Sequence, residues 1–553
     1  MPELKNYLNQ RMKSLETEWQ TWRAHYIQLS QHFYPSTGRF LSADRNLGHK
    51  RNKNIDNAGI LARRTLQAGM VGGLTSPARP WFRLATPDLD MMRFAPVREW
   101  LETVENILRT IYNRSNLYNT LTTQYGEISV YGTAPIGIFE NFDNVIRSFP
   151  FTVGSYYLAA GEDLKVNTLY RNIPLTVQQM VERFGLNNVS TTVRDMYNRG
   201  DYDKWIEVCQ AIEPNNARSL ELRDSINMPY RSIYWEKQSD KQEEFLSHSG
   251  FEEFPIMSPR WEITSTDTYG SSPGMDALGD AIQLQDEQKH KGMGIQKQVN
   301  PPMQAPISLQ KKKSSTLPGN ITFVDNAQGP GFTPAYQVNI NLQDLKEDIF
   351  EVRQRISRAF YEDLFLMLAQ SDRRQITARE VQEKHEEKLI MLGPVLERLQ
   401  DELLDPLIDR TFNMALRAGI LPPPPEELQG TQLQVEYVSI LAQAQRAVGL
   451  SSIDRLLDTT AALAQVKPSA LDVLDEDAVV REYHDALGVP QRILKDEKVV
   501  AQERQQRAQA QQAQQSLEMA QAGAGAMKDA AASDLEGDNA LTRVLDNLGG
   551  GLT

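Results

Sequence analysis

Apolar residues recur every three or four positions from about Glu3 to Phe33, at Leu8, Met12, Leu15, Trp19, Trp22, Tyr26 and Leu29, and Pro35 ends the run. That spacing is the α-helical period, so it predicts one long amphipathic helix with a core-facing stripe. A polar loop with Lys50, Arg51 and Lys53 follows, then a second helix over Ile55 to Leu74, stopped by Ser76-Pro77 and Pro80-Trp81-Phe82. Gly59, Gly69 and Gly72 in that helix predict close packing against a neighbour. Further helices are expected from about Pro96 to Leu117 and Leu121 to Tyr131. Between about Ile136 and Trp261 the pattern becomes mixed, with strand-like runs at Ser148 to Tyr157 and Trp205 to Ile212 and a helix at Val177 to Phe184, which predicts an α+β region.

Two long helices with a small β insertion between them come next. Ser272 can cap, and Pro273 can open, a helix reaching about Gln298, roughly 37 Å long at about 1.5 Å per residue. Asp276, Asp280, Asp286 and Glu287 come first and Lys289, Lys291 and Lys297 last, which matches the helix dipole. Five glutamines, Gln283, Gln285, Gln288, Gln296 and Gln298, leave it little apolar stripe, so it is expected to pack on neighbouring chains, face water, or both. From Asn300 to Asn341 the chain turns to Pro, Gly and short β-type runs at Ile307 to Leu309, Ile321 to Val324 and Tyr336 to Ile340, separated by Lys311-Lys312-Lys313 and Gly329-Pro330-Gly331. The second helix carries Leu345, Ile349, Val352, Ile356, Phe360, Leu364 and Met367 at helical spacing and stops near Ala369.

Gln370-Ser371-Asp372-Arg373-Arg374-Gln375 then reads as a polar loop before a helix whose capping box is Thr377 with Glu380. Gly393-Pro394 and Pro406 predict a kinked helix ending at Gly419. Leu433, Val435 and Tyr437 read as a short strand, and helices are expected over Ser439 to Gly449, Ser451 to Val466 and Glu476 to Leu487. From about Pro490 the chain is Gln/Ala-rich, notably Gln502 to Gln515, then glycine-punctuated from Gly523, which predicts a helix fraying into a tail.

The 553 residues, 40% hydrophobic and 24% charged, predict three or four packed regions. One cysteine, Cys209, excludes an internal disulfide and argues for a reducing compartment or assembly in a cytoplasm; beside Val208 it reads as a small buried apolar residue. Met1 to Gln20 has no apolar signal-peptide core, and no stretch approaches a membrane span. A net charge of -13 is the opposite of the footprint of a tight nucleic-acid binder. The seven histidines make no metal-ligand spacing. Phosphate loops, nucleophile elbows and dinucleotide fingerprints are missing from the sequence, so no cofactor is expected and the chain does not read as an enzyme. Asp344, Asp348 and Glu351 share a helical face, but acids so spaced are expected to meet solvent or bases rather than a metal.

In their order along the chain, several runs resemble the portal, or head-to-tail connector, proteins of short-tailed bacteriophages, from about Trp19 to about Arg507. They are Leu74-Thr75-Ser76-Pro77 with Trp81-Phe82; Pro259-Arg260-Trp261 leading to Tyr269-Gly270-Ser271-Ser272-Pro273; Thr377-Ala378-Arg379-Glu380-Val381 leading to Leu392-Gly393-Pro394; and Leu403-Leu404-Asp405-Pro406-Leu407-Ile408 with Gly419-Ile420-Leu421-Pro422. Ser271 stands where arginine is expected in many relatives.

The resemblance implies a mostly α fold with an α+β wing and a small β clip, assembled as a dodecameric ring at the portal vertex of the virion capsid. Mapped onto this chain, it implies a wing at 1–271, a first stem helix at 272–298, the clip at 299–341, a second stem helix at 342–369 and a tunnel loop at 370–376. A kinked wing helix at 377–425, a helical crown at 426–489 and a Gln/Ala-rich C-terminal helix and tail at 490–553 complete it. The implied partners are copies of itself, double-stranded DNA passing through without tight binding, the terminase large subunit, head-completion adaptor and tail proteins, capsid and scaffolding proteins, and internal core proteins, with no membrane. Gln370 to Gln375, with Arg373 and Arg374, are the expected channel constriction, and Lys311, Lys312 and Lys313 a candidate docking point. The alternative, a packaging ATPase or nuclease, needs a phosphate loop or convergent carboxylates that the sequence does not present.

Overall fold

The computed structural model describes residues 2–40, 51–88, 91–222, 224–237, 245–305, 307, 332–335, 341–370, 391–428, 430, 433–465, 467, 473–486 and 497–532. The chain divides into two compact units, Met1–Asp475 and Glu476–Thr553.

The first unit opens with α1 (Pro2–Phe33), α2 (Ala58–Leu74), β1 (Phe82–Ala85), α3 (Ala95–Arg114) and α4 (Leu117–Tyr131). The α1 stripe is spent as its period predicts: Leu8, Met12, Leu15, Trp19, Tyr26 and Leu29 are buried, each large side chain contributing about 1.5–3 kcal/mol by leaving water. Gly59 and Gly69 lie against the rings of Phe33 and Phe365, where a methyl group would clash, so the close packing expected of α2 is real at both. Gly72 meets no described atom; the third close approach is at Gly73, under Leu441.

Next come β2 (Ile136–Asn141), β3 (Val145–Pro150), β4 (Tyr156–Ala160), β5 (Val166–Thr176), α5 (Val177–Phe184), α6 (Thr191–Asn198), β6 (Trp205–Pro214), β7 (Tyr230–Glu236), β8 (Ser247–Phe251) and β9 (Ile256–Met257). An antiparallel five-stranded sheet runs β4-β5-β6-β7-β8, and a three-stranded one runs β3-β2-β9. The single strand expected over Ser148 to Tyr157 is two strands in different sheets, because the chain turns at Gly154, whose φ of 87° other residues rarely adopt. β5, β7 and β8 escaped the sequence reading: their polar residues blur the alternation on which strand prediction rests.

Then follow α7 (Pro273–Asp276), α8 (Leu278–Val299), β10 (Met303–Gln304), β11 (Thr333–Pro334), α9 (Leu342–Ala359), α10 (Glu362–Gln370), α11 (391–399), α12 (Asp405–Arg417), β12 (Gln434–Tyr437) and α13 (Ile440–Ala464). Neither long helix is continuous. The first breaks at Ala277 and the second at Phe360 and Tyr361, where Tyr361 takes a φ of 53°. The buried rings of Phe360 and Phe365 show why periodicity missed the second break: both sides of it face the same core.

The interruption expected at Gly393-Pro394 is not seen among the described residues, where the helix is continuous over 391–399. Leu392, Val395, Leu396 and Leu399 are buried there, and their combined burial outweighs the roughly 3 kcal/mol that an interior proline costs. The strain falls instead before Pro406, where Gln400–Leu404 forms a π turn. α12 closes as expected at Gly419, with Ile420 N–H donating to Ala415 C=O (3.1 Å) and Gly419 N–H to Leu416 C=O (3.0 Å). β12 pairs antiparallel with β1, Phe82 opposite Tyr437, which joins the late chain to the early core. α13 runs through Gly449 and Ser451, where two helices were expected.

The second unit comprises α14 (Glu476–Ala486) and α15 (Glu497–Ala532), which takes in the Gln/Ala tract as helix. Arg504 makes a two-pronged ion pair with Asp477 (2.6 and 2.7 Å). Among the described residues no helix is long and apolar enough to cross a membrane.

Candidate functional site

The two helices after Ser272 form an antiparallel hairpin: Arg355 near the end of α9 reaches Asp280 near the start of α8 (3.0 Å), while mid-helix Asp348 lies beside Glu287. Burial, with Asp348 adding to it, raises the Glu287 carboxyl above its ordinary range. The seam is made by Leu278, Ala281, Leu284 and Gly294 on α8 and by Ile349, Val352 and Ile356 on α9. The apolar stripe expected to face neighbouring copies is therefore consumed inside the subunit. What α8 and α9 leave exposed is a different set, Ile282, Met293, Ile295, Val299 and Phe350. Asp344, Asp348 and Glu351 form no metal cluster among the described residues; Glu351 lies 3.6 Å from Arg355.

The glutamines that make α8 so polar have a use. Gln285 Oε1 accepts the N–H groups of Ile55 (2.7 Å) and Asp56 (3.0 Å), and its Nε2 donates to Asp56 C=O (2.9 Å). Asp56 is buried and accepts hydrogen bonds from Gln288 (2.8 Å), from Ala58 N–H (2.9 Å) and from Arg353 of α9 (2.7 and 3.0 Å). Burial works to raise the Asp56 carboxyl, but these donors outweigh it and hold the group below its ordinary value. One aspartate in the loop before α2 thus pins both hairpin helices. Sequence reading passed over it; the signal was the surplus of glutamine on α8.

Among the described residues, runs that carried the family resemblance act as joints. Ser272 Oγ accepts Met275 N–H (3.1 Å) and donates to Val130 C=O (2.7 Å), so the cap of α7 is also a bolt into α4, and Pro273 takes the first turn as expected. Tyr269 Oη accepts Leu158 N–H (3.0 Å), and Gly270 N–H donates to Thr133 (2.8 Å). Gly132, at φ 73°, ends α4 where a side chain would strike the Gly270 backbone. Ser271, the departure from the expected arginine, engages through its backbone, N–H to Glu262 C=O at 2.8 Å. Arg260 is 2% exposed and grips Glu402 of the π turn through Nε, NH2 and its own backbone N–H (2.5–3.2 Å), with Leu164 C=O (2.7 Å) taking a further bond. Asp405 accepts the Tyr437 hydroxyl in a short hydrogen bond. Trp81 donates to Tyr118 (3.2 Å), and Thr75 meets Tyr125 (3.2 Å). Cys209 is buried, its thiol pushed up to about 12 by burial, which leaves it unreactive.

Of the candidate residues chosen from sequence, Gln370 ends α10, while Ser371, Asp372, Arg373, Arg374 and Gln375, the capping box at Thr377, and Lys311, Lys312 and Lys313 lie outside the described residues.

The chain matches the model of the family described as bacteriophage head to tail connecting protein over residues 5–494. It is 44% identical over 548 residues to the portal protein of Salmonella phage epsilon15, covering 99% of this chain and 98% of that one. It is also 44% identical over 536 residues to the probable portal protein of Bordetella phage BPP-1, covering 97% and 96%. These are names of structural connectors and not of enzymes. With the joints just described falling on the same runs that carried the resemblance, the chain belongs to the bacteriophage head to tail connecting protein family.

Proposed function

We propose that this chain is the subunit of a dodecameric portal ring at one capsid vertex of the virion, assembled in the host cytoplasm, whose axial channel passes DNA during packaging and ejection. The observation that carries the reading is the hairpin. One side of it is anchored to the chain's own core through Asp56, while Ile282, Met293 and Phe350 stay exposed to a degree a lone subunit has no reason to keep. Ile282 and Met293 lie eleven positions apart, which returns to within about 20° on a helix. They form one face that a second copy, placed by rotation about the ring axis, would cover.

On this reading the hairpin is the stem, the segment from Asn300 to Asn341 is the clip, with Lys311 to Lys313 available to the terminase large subunit and to head-completion or tail adaptors, and Gln370 to Gln375 line the constriction. Capsid, scaffolding and internal core proteins meet the outer parts. Twelve subunits of charge -13 sum to about -156, and acids facing the lumen within about 8 Å of the phosphates would let DNA slide without adhering. End-on electron micrographs of purified protein test this directly. Closed rings with an axial hole are expected, and a stable 62.7 kDa monomer at working concentration would end the proposal.

A further inference from the structure

Across the five-stranded sheet, Arg171, Gln210, Tyr234 and Ser247 sit directly opposite one another on successive strands and so share one face. Above them, between the end of α5 and the β2–β3 hairpin, lies a groove of about 410 Å³. Two guanidiniums enter it. Arg171 is half-buried, stacks on Phe151 (4.6 Å) and donates Nε–H to Gln210 (2.6 Å). Arg183 stacks on the Tyr234 ring (4.7 Å) and donates to its hydroxyl (2.8 Å).

Among the described residues neither arginine pairs with a carboxylate, whereas the half-buried or buried Arg231, Arg260 and Arg410 do; buried Arg63 also lacks one and donates to Gln67 instead. Two like charges meet at one phenol, Arg171 half-buried and Arg183 exposed, and an anion placed between them would relieve their repulsion. Burial, opposed by the Tyr234 hydroxyl and reinforced to a smaller extent by the Arg183 charge, draws the Arg171 guanidinium below its ordinary range. The remaining donors are hydroxyls, Ser232, Ser247 and Ser249, and the walls are the rings of Phe139, Phe149 and Phe251.

The geometry points to a docking groove for an acidic peptide segment of a partner protein, with one Asp or Glu carboxylate held between Arg171 and Arg183 and a flanking apolar side chain against the phenylalanines. A planar fork of donors matches a carboxylate two-fold, and the aromatic walls favour an apolar neighbour over a sugar-phosphate chain. The volume suits one or two side chains, whereas nucleic acid would need a continuing row of cations that the groove lacks. The inference does not depend on the stem hairpin, which lies on other elements.

The test is titration calorimetry of the assembled protein with a capped pentapeptide carrying glutamate between two leucines, alongside the same peptide with glutamine, inorganic phosphate, and a short single-stranded DNA. Saturable binding of the glutamate peptide is expected, weakened about tenfold or more by glutamine in the peptide or by Arg183→Gln, the loss of a charge-assisted hydrogen bond. Arg183 is exposed, so its replacement leaves the fold intact, and the peptide substitution leaves the protein untouched. Equal binding of the two peptides, binding of phosphate or DNA in preference, or no binding at millimolar peptide each overturns the assignment. Micrographs of the same samples report ring integrity separately, so loss of peptide binding with rings intact counts against the groove alone.

Discussion

Gln285 reads the backbone of Asp56 from both sides, its carbonyl accepting the Asp56 N–H at 3.0 Å and its amide donating to the Asp56 C=O at 2.9 Å. A side chain on the stem-like hairpin thereby completes a backbone segment in the loop before α2, as a neighbouring strand would. Gln285→Leu removes three hydrogen bonds at once and leaves the Asp56 amide, part-buried, without a partner. A cost of about 2–4 kcal/mol is expected, visible as a lower melting temperature and faster amide exchange at 55–57. Unchanged exchange there would show that the loop is held by other contacts.

Asp56 also sets an acid limit on the hairpin. Its carboxyl is held below its ordinary value in the folded state, so its contribution is present above the unfolded value, near 3.8, and is lost as pH falls through the folded one. Asp56→Asn should lower stability more at pH 7 than at pH 2 to 3. An equal loss at both would mean that the charge is irrelevant.

Glu127 carries the opposite sign. It is buried, one carboxyl oxygen has no partner among the described residues, and burial pushes its pKa up to about 8, with Thr152 and the Val153 N–H opposing. The folded chain holds a proton there that the unfolded chain releases near 4.5, so stability declines as pH rises from about 4.5 to 8. Melting temperature should fall over that window in the native chain and fall less in Glu127→Gln. Parallel curves for the two proteins would refute this.

The buried pair of Arg260 and Glu402 ties the approach to α7 to the π turn before α12. Removing one partner, as in Glu402→Leu, should destabilise by about 3–5 kcal/mol because a buried charge is left alone, whereas Arg260→Met with Glu402→Leu should recover most of the loss. Denaturant titration of the two variants decides it, and a double variant as weak as the single one would mean that the bonds to Leu164 and the backbone carry the joint.

For ring assembly, Ile356→Asp is uninformative, since Ile356 is buried inside its own subunit and the charge would unfold the hairpin. Phe350, 60% exposed, is the informative site. Phe350→Asp should leave the circular dichroism spectrum and subunit melting intact while reducing the fraction of rings in micrographs. Arg373→Ala with Arg374→Ala should leave rings intact and alter DNA packaging or retention. Loss of rings in that variant would make those arginines interface residues instead.

Much of this protein is written in its periodicity. The α1 stripe, the Ser272 cap with Pro273, the α5 helix and the glycine stop at Gly419 are local events, decided by residues a turn or two apart, and each forms where the pattern places it. The family resemblance was equally legible, because its runs are read in order without knowing what they touch.

What the tertiary structure alone decided is where long-range partners meet. The pattern marks Ile356 as apolar but does not say whether the chain's own α8 or a second copy covers it; proximity in space settled that in favour of the chain itself. Nor does it say that Pro406 is accommodated by a π turn while Pro394 is tolerated, since that balance depends on how much leucine surface the core takes from each side. The pairing of Asp56 with Gln285, Gln288 and Arg353 spans more than two hundred residues. A polar residue on a helix is silent about its partner until folding brings one within hydrogen-bond distance, and burial then makes leaving it unpaired costly.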